Sequence, residues 1–208
     1  MSAMEQPKYV ERSLRILAGL SGWGFPPEVQ QRVGAFAVVW GALESNLETT
    51  LWALRGDNVA GIRPWTDTTT VSGWIKELAK GWPQLPAEAQ DVLRTASLAA
   101  HDLMEYRHAV LHGWMIPSET MPTYVRNPRW HGEKRKRASH DAHVDQNLLD
   151  MAISSAWTLY EVVYATRLAC TDPSKTASLI GLNDEASRAR SSASELRHLT
   201  AMVNHEKY

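Results

Sequence analysis

The stretch PPEVQQRVGAFAVVWGALESNLETTLWAL, residues 26–54, decides the fold class. Pro26-Pro27 suits a helix start, because proline lacks the amide donor that the first turn leaves unused. From there Val29, Val33, Phe36, Trp40, Leu43, Leu47, Leu51 and Leu54 recur at alternating spacings of four and three. That pattern is one apolar stripe along a helix of roughly seven turns, closed near Gly56-Asp57. Such a stripe reads as core.

The same periodicity extends outward in both directions. A first helix is expected over Gln6 to Leu20, with Leu14, Leu17 and Leu20 inward and Ser21-Gly22 as its close. Gly56 to Thr69 reads as a connector, and a short helix follows from Val71 to Lys80, stopped by Gly81 and Pro83. Pro86-Ala87-Glu88 opens a fourth helix that carries Val92, Ala96, Ala99, Leu103 and Val110 on one face and ends near Gly113. Trp114-Met115-Ile116 and Thr123-Tyr124-Val125 are β-prone runs that can pair as a hairpin. Helix resumes near Asp145, with Leu148, Met151, Ala152, Trp157, Leu159, Val162, Val163 and Leu168, and a last helix spans Asp184 to Val203.

The expected fold is therefore all-α: a bundle of four to five main helices, a short irregular or β-hairpin insertion after the fourth, and a C-terminal helical extension. The bundle domain is placed at residues 1–172, with its core at 26–168 and its insertion at 114–144, and the extension at 173–208. Composition supports an ordered domain, since 44% of the 208 residues are hydrophobic. With 22 Lys+Arg against 23 Asp+Glu the formal charge is −1, so no chain-wide field draws it to nucleic acid or to an anionic membrane. One cysteine, Cys170, excludes an internal disulfide framework and suits a reducing cytoplasm. It sits in an apolar helix and reads as a packed small residue. The longest near-apolar run, Gly34 to Leu43, is too short to span a bilayer, and no signal peptide is visible at the N-terminus. A cytoplasmic protein without a membrane partner is the expectation.

The residues with most chemical content are His101-Asp102-Leu103-Met104-Glu105-Tyr106-Arg107-His108-Ala109-Val110-Leu111-His112-Gly113. At about 100° per residue the apolar face centres on Leu103 and Val110, with His101, Glu105, His108 and His112 opposite. Arg107 falls on the apolar side, where an unpaired guanidinium is costly. It either pairs with a carboxylate of a neighbouring helix, for which Glu44 is the evident candidate, or lines a cleft and holds an anion. His112 lies in the last turn, where the helix breaks and a site can open. An arginine on phosphate beside a histidine that moves protons near neutral pH is a minimal set for RNA cleavage by the ribose 2′-hydroxyl, without a metal.

The segment Arg107 to Gly113 resembles the R-x4-6-H motif of the HEPN superfamily, helical proteins that include bacterial RNase toxins and antiphage effectors. Trp40-Gly41-Ala42-Leu43-Glu44 in the earlier long helix, the glycine after His112 and the long helix that follows add to the resemblance, which covers roughly Pro26 to Leu168. It implies a dimerising bundle in which two motifs face each other, His112 acting as general acid/base and Arg107 stabilising charge on phosphate. His108 stands where the family most often has Asn or another polar residue, and imidazole can also hydrogen-bond phosphate or ribose. Some members are not nucleases and serve as binding or assembly modules for RNA, nucleotide or protein, so that reading stands as the alternative.

A basic segment lies immediately downstream. Arg126, Arg129, Lys134, Arg135, Lys136 and Arg137 face only one acid, Glu133, with Trp130 and Tyr124 available for stacking. It is either a solvated loop or a surface for RNA phosphates. His140-Asp141-Ala142-His143 and the stripe of His101, Glu105, His108 and His112 match no zinc spacing, and no metal or other cofactor is expected. The partners implied are RNA, a second copy of the chain, and an antitoxin or regulatory protein. Among the nine Trp, Trp40 and Trp157 read as core, while Trp23, Trp65 and Trp130 fall in loops.

Overall fold

The computed structural model describes residues 8–58, 60, 65–116, 123–125 and 141–206. The chain is mostly helical: α1 (Lys8–Gly22), α2 (Pro27–Arg55), α3 (Val71–Leu78), α4 (Ala87–His112), α5 (Gln146–Thr171), α6 (Thr176–Ile180) and α7 (Asn183–Glu206). Three short strands, β1 (Trp114–Ile116), β2 (Thr123–Val125) and β3 (Asp141–His143), lie between α4 and α5.

The periodicity of residues 26–54 becomes α2. Pro27 starts it, and Gly56 closes it in the left-handed region at φ 67°, returning its N–H to Ala53 and Trp52. Val29, Phe36, Trp40, Leu43, Leu47, Leu51 and Leu54 are all buried, and Val33 packs partly against the same core. Each fully buried side chain of this size contributes roughly 1.5–3 kcal/mol, so the stripe is a main source of stability.

Polar contacts fix how the long helices run. Arg32 pairs with Asp150 at 2.8 Å, and Arg167 donates to Thr49 Oγ1 at 3.2 Å, so α2 and α5 lie side by side in the same direction. Tyr106 near the end of α4 donates to His143 O, just before α5, at 3.2 Å, so α4 runs opposite to α5. Arg190 donates to Leu98 O at 3.2 Å and Arg197 Nε lies 3.1 Å from Asp102, which sets α7 along α4 in α4's own direction. Two parallel pairs of opposite sense thus form the bundle. Leu179, Ala186, Ala193 and Leu196, which follow residue 172, belong to the same hydrophobic core as the buried residues of α2, α4 and α5.

Two sequence expectations need correction. Leu14 and Leu17 do not turn inward: they are 55% and 48% exposed, and α1 buries no residue. The helix is amphipathic, but it meets the bundle chiefly through Gln30, which bonds Leu17 O, Ser21 and Phe25 O. Trp157 is 49% exposed and is not core. It stacks on Tyr160 at a centroid distance of 5.0 Å, and Tyr160 in turn on Tyr164 at 6.1 Å, along the outward side of α5.

The hairpin forms as expected, with Trp114 opposite Val125, Met115 opposite Tyr124 and Ile116 opposite Thr123. β3 adds to β2 as a third antiparallel strand, pairing Val125 with Asp141 and Thr123 with His143. His140-Asp141-Ala142-His143, considered above for metal ligation, therefore enters a strand at Asp141, and His140 lies outside the described residues.

Asp102 holds α4 to α7. It is buried, and both Arg190 and Arg197 reach its carboxylate. Removing one partner of a buried ion pair leaves charge uncompensated, though these arginines are partly exposed and can rehydrate. Asp102→Ala should therefore lower stability by about 2 kcal/mol, read as a lower urea midpoint. An unchanged midpoint would mean that apolar packing alone holds α7.

Candidate functional site

The last two turns of α4 carry Arg107, His108 and His112, and α2 faces them with Trp40 and Glu44, one turn apart. Arg107 points from the apolar side of α4 and its side chain is 18% exposed. At that burial a guanidinium needs partners, and α2 provides two. Glu44 Oε1 lies 3.7 Å from Arg107 Nη2, and the ring of Trp40 lies under the guanidinium, 5.8 Å from centroid to Cζ. The same Glu44 oxygen accepts a hydrogen bond from Trp40 Nε1. Trp40 thus fills the core with its ring and orients the carboxylate with its N–H.

Arg107 also reaches along its own helix. Its Nη1 lies 2.7 Å from His112 Nε2. A guanidinium can only donate, so in this contact Nε2 accepts, and the imidazole carries its proton on Nδ1. His112 is exposed at the helix end, and the His108 ring stands beside it with centroids 6.0 Å apart. The arrangement is one cation, two imidazoles and one carboxylate at the mouth of a helix pair.

Gly113 explains why the helix opens there. A Cβ at that position would lie 2.2 Å from Ala109 O and 3.1 Å from Tyr124 Cβ, so β1 can leave α4 this closely only through glycine. The sheet then stands directly beyond His112. Buried Tyr124 packs edge-on to Phe25, and burial pushes its phenol well above the usual tyrosine range.

The site residues expected from the sequence divide into two groups. Arg107, His108, His112 and Glu44 are brought together. Arg126, Arg129, Trp130, Lys134, Arg135, Lys136 and Arg137 lie outside the described residues. The strands that bracket them are described, and Val125 of β2 is paired with Asp141 of β3. Cys170 is half-buried, and burial raises its thiol, which disfavours the thiolate that a nucleophile needs.

Sequence reasoning does not single out one further group. Gly41, Glu44, Ser45 and Glu48 of α2, with Val71 and Trp74 of α3, line an open cleft of about 260 Å³ beside Arg107. The available signal is two carboxylates at i and i+4 on a helix, a like-charge spacing that is unfavourable without a purpose.

Two outcomes follow. Nitrogen-15 spectra of the imidazoles should place the His112 proton on Nδ1 at neutral pH, and an Nε2–H tautomer would contradict the Arg107 contact. Arg107→Ala should leave the chain folded at a cost of about 1 kcal/mol, because Glu44 keeps Trp40 and reaches water. Global unfolding of that variant would instead mark Arg107 as a structural tie. No protein-family model matches the chain, and no curated protein and no solved structure does.

Proposed function

We propose that this chain is a metal-independent endoribonuclease of the HEPN type, working as a homodimer in which two Arg107/His112 pairs face one cleft. The observation that carries the reading is the 2.7 Å contact between Arg107 Nη1 and His112 Nε2 at the open end of α4. A phosphate-binding cation and a proton-transfer group stand within one bond of each other, with His108 alongside.

The chemistry is transesterification within RNA. The ribose 2′-oxygen attacks the adjacent phosphorus, the bond from phosphorus to the 5′-oxygen breaks, and the products are a 2′,3′-cyclic phosphate and a 5′-hydroxyl. The 2′-hydroxyl proton passes to an imidazole, and a protonated imidazole supplies one to the leaving oxygen. His112 takes its proton on Nε2, the nitrogen that Arg107 covers in this structure. Arg107 must therefore turn from the imidazole to a phosphate oxygen as RNA binds, exchanging one acceptor for a charged one. The basic segment from Arg126 to Arg137 supplies further phosphate contacts. A setting in toxin or antiphage systems, with an antitoxin or other restraining partner, comes from the resemblance alone.

One observation favours the second reading, a non-catalytic module that binds RNA, nucleotide or protein. Arg107 is engaged by Trp40, Glu44 and His112 together, as a helix tie would be.

Purified protein in excess EDTA should cut tRNA or total RNA and leave 2′,3′-cyclic phosphate ends. His112→Ala should reduce the rate by roughly 10²-fold or more while the helical spectrum persists, as expected on losing a general acid/base. No cutting by either protein would support the binding module, and cutting by both would remove His112 from the mechanism.

A further inference from the structure

We propose that two copies of this chain exchange their first helices, each α1 lying along the outward face of the partner's α2 and α5. The pairing of copies belongs to the ribonuclease reading, and the surface that effects it is inferred from packing alone. Helical spacing places Val10, Leu14 and Leu17 on one face of α1, with Lys8, Arg12 and Arg15 turned away from it. None of its residues is buried. Its corner with α2 is pinned by Gln30, which bonds Leu17 O and Phe25 O, and by Phe25 against Tyr124. An apolar helix face of this length left in water marks an interaction surface.

The body of the molecule carries the matching surface. Arg32 pairs with Asp150 and Arg167 bonds Thr49, contacts seventeen residues apart on each helix, so α2 and α5 run side by side for about 25 Å. No charged residue occurs between Arg32 and Glu44 on α2 or between Asp150 and Glu161 on α5. On the outward side of α2 stand Gly34, Ala35, Val38 and Ala42, with Val38 74% exposed. Beside them on α5 stand Ile153 and the stacked row of Trp157, Tyr160 and Tyr164. The small residues form a trough and the aromatic row its wall. The chain's own α1 does not cover it, since a Cβ on Gly34 would meet nothing within 4 Å. An uncharged centre with ion pairs at its ends is the anatomy of a protein interface.

A second copy is the occupant that the dimensions favour. α1 has 15 residues, about 22 Å, which fits the length of the trough. Every copy supplies both an uncovered helix and an uncovered trough, so exchange about a two-fold axis closes both at once. Each docked α1 covers a strip of about 22 Å by 10 Å, and two arms, counted on both surfaces, hide roughly 900 Å² in projection. That is near the ~1,000 Å² required of a specific interface, and no charge is buried in reaching it.

Sedimentation of the full chain at micromolar concentration, with hydrogen exchange followed segment by segment, tests this. The wild type should sediment as a dimer. Val38→Asp, and separately Leu14→Asp together with Leu17→Asp, should each weaken dimerisation at least tenfold with the thermal midpoint maintained, since all three side chains are exposed in the single chain. The amides of α1 should exchange at least tenfold faster in the Val38→Asp variant, because the trough that protects them is on the other copy. A wild-type dimer that neither variant weakens overturns the exchange and leaves the homodimer reading intact. Dissociation by Val38→Asp with α1 amides unchanged overturns it too, since α1 then lies outside the interface. A monomeric wild type overturns the exchange and the homodimer together, and protection of its α1 on phosphatidylglycerol vesicles would assign that face to a membrane surface. A dimer with the expected losses but no RNA cutting supports the exchange and overturns the ribonuclease reading.

Discussion

Arg107 is a permanent cation on the apolar side of a bundle helix, and the arrangement of the site follows from how that charge is satisfied. A guanidinium held at 18% exposure loses much of its hydration, so the fold must return hydrogen bonds and opposite charge. Glu44 provides the charge, Trp40 provides a ring face and holds Glu44 in place, and His112 provides a lone pair. Because Trp40 and Glu44 are one turn apart on α2, the contact also sets the register of α2 against α4. One turn before Trp40, Phe36 of α2 meets Tyr106 of α4 at a centroid distance of 6.3 Å, so an apolar ring contact and the charged contact hold the same register.

α4 is tied by polar groups at two places. Asp102 meets Arg190 and Arg197 on α7, and five residues later Arg107 meets Glu44 on α2. The signs are opposite and the two positions lie about 140° apart around the helix, so the ties bear on the rotation of α4 as well as on its height. Fixing rotation matters at its end, where Gly113 lets the chain turn straight into β1. A bulkier residue there would displace the strand and, with it, the turn that presents His112.

The sequence made the helices legible because their information is periodic and local. α2 and α4 begin and end near the residues that Pro26-Pro27, Gly56, Pro86 and Gly113 suggest, and α3 ends shortly before Gly81. The Arg107–Glu44 pairing was legible for a different reason: a charge at an apolar angle of one helix demands a partner, and Glu44 flanks the stripe of another. What periodicity cannot supply is the partner of an apolar face. Leu14 and Leu17 of α1 form such a face and remain exposed, and Trp157 lies in an apolar helix but on its outward side. β3 was missed because Asp141-Ala142-His143 has little strand propensity of its own and is held by pairing with β2. The cleft at Glu48 was missed because it needs α3 placed against α2, a tertiary fact.

Under the ribonuclease reading, the contact between Arg107 and His112 orders the events at the site. The lone pair of Nε2 serves either the guanidinium or a substrate hydroxyl, never both at once. In this structure Arg107 holds it. A phosphate oxygen is a better acceptor for arginine than a neutral imidazole, because the bond is charge-assisted and can be bidentate. Phosphate binding then frees the imidazole in the same movement that neutralises the phosphate. Glu44 lies 3.7 Å from Nη2, on the other side of the guanidinium from the Nη1 that meets His112, so the opposite charge stands beside the arginine independently of the imidazole.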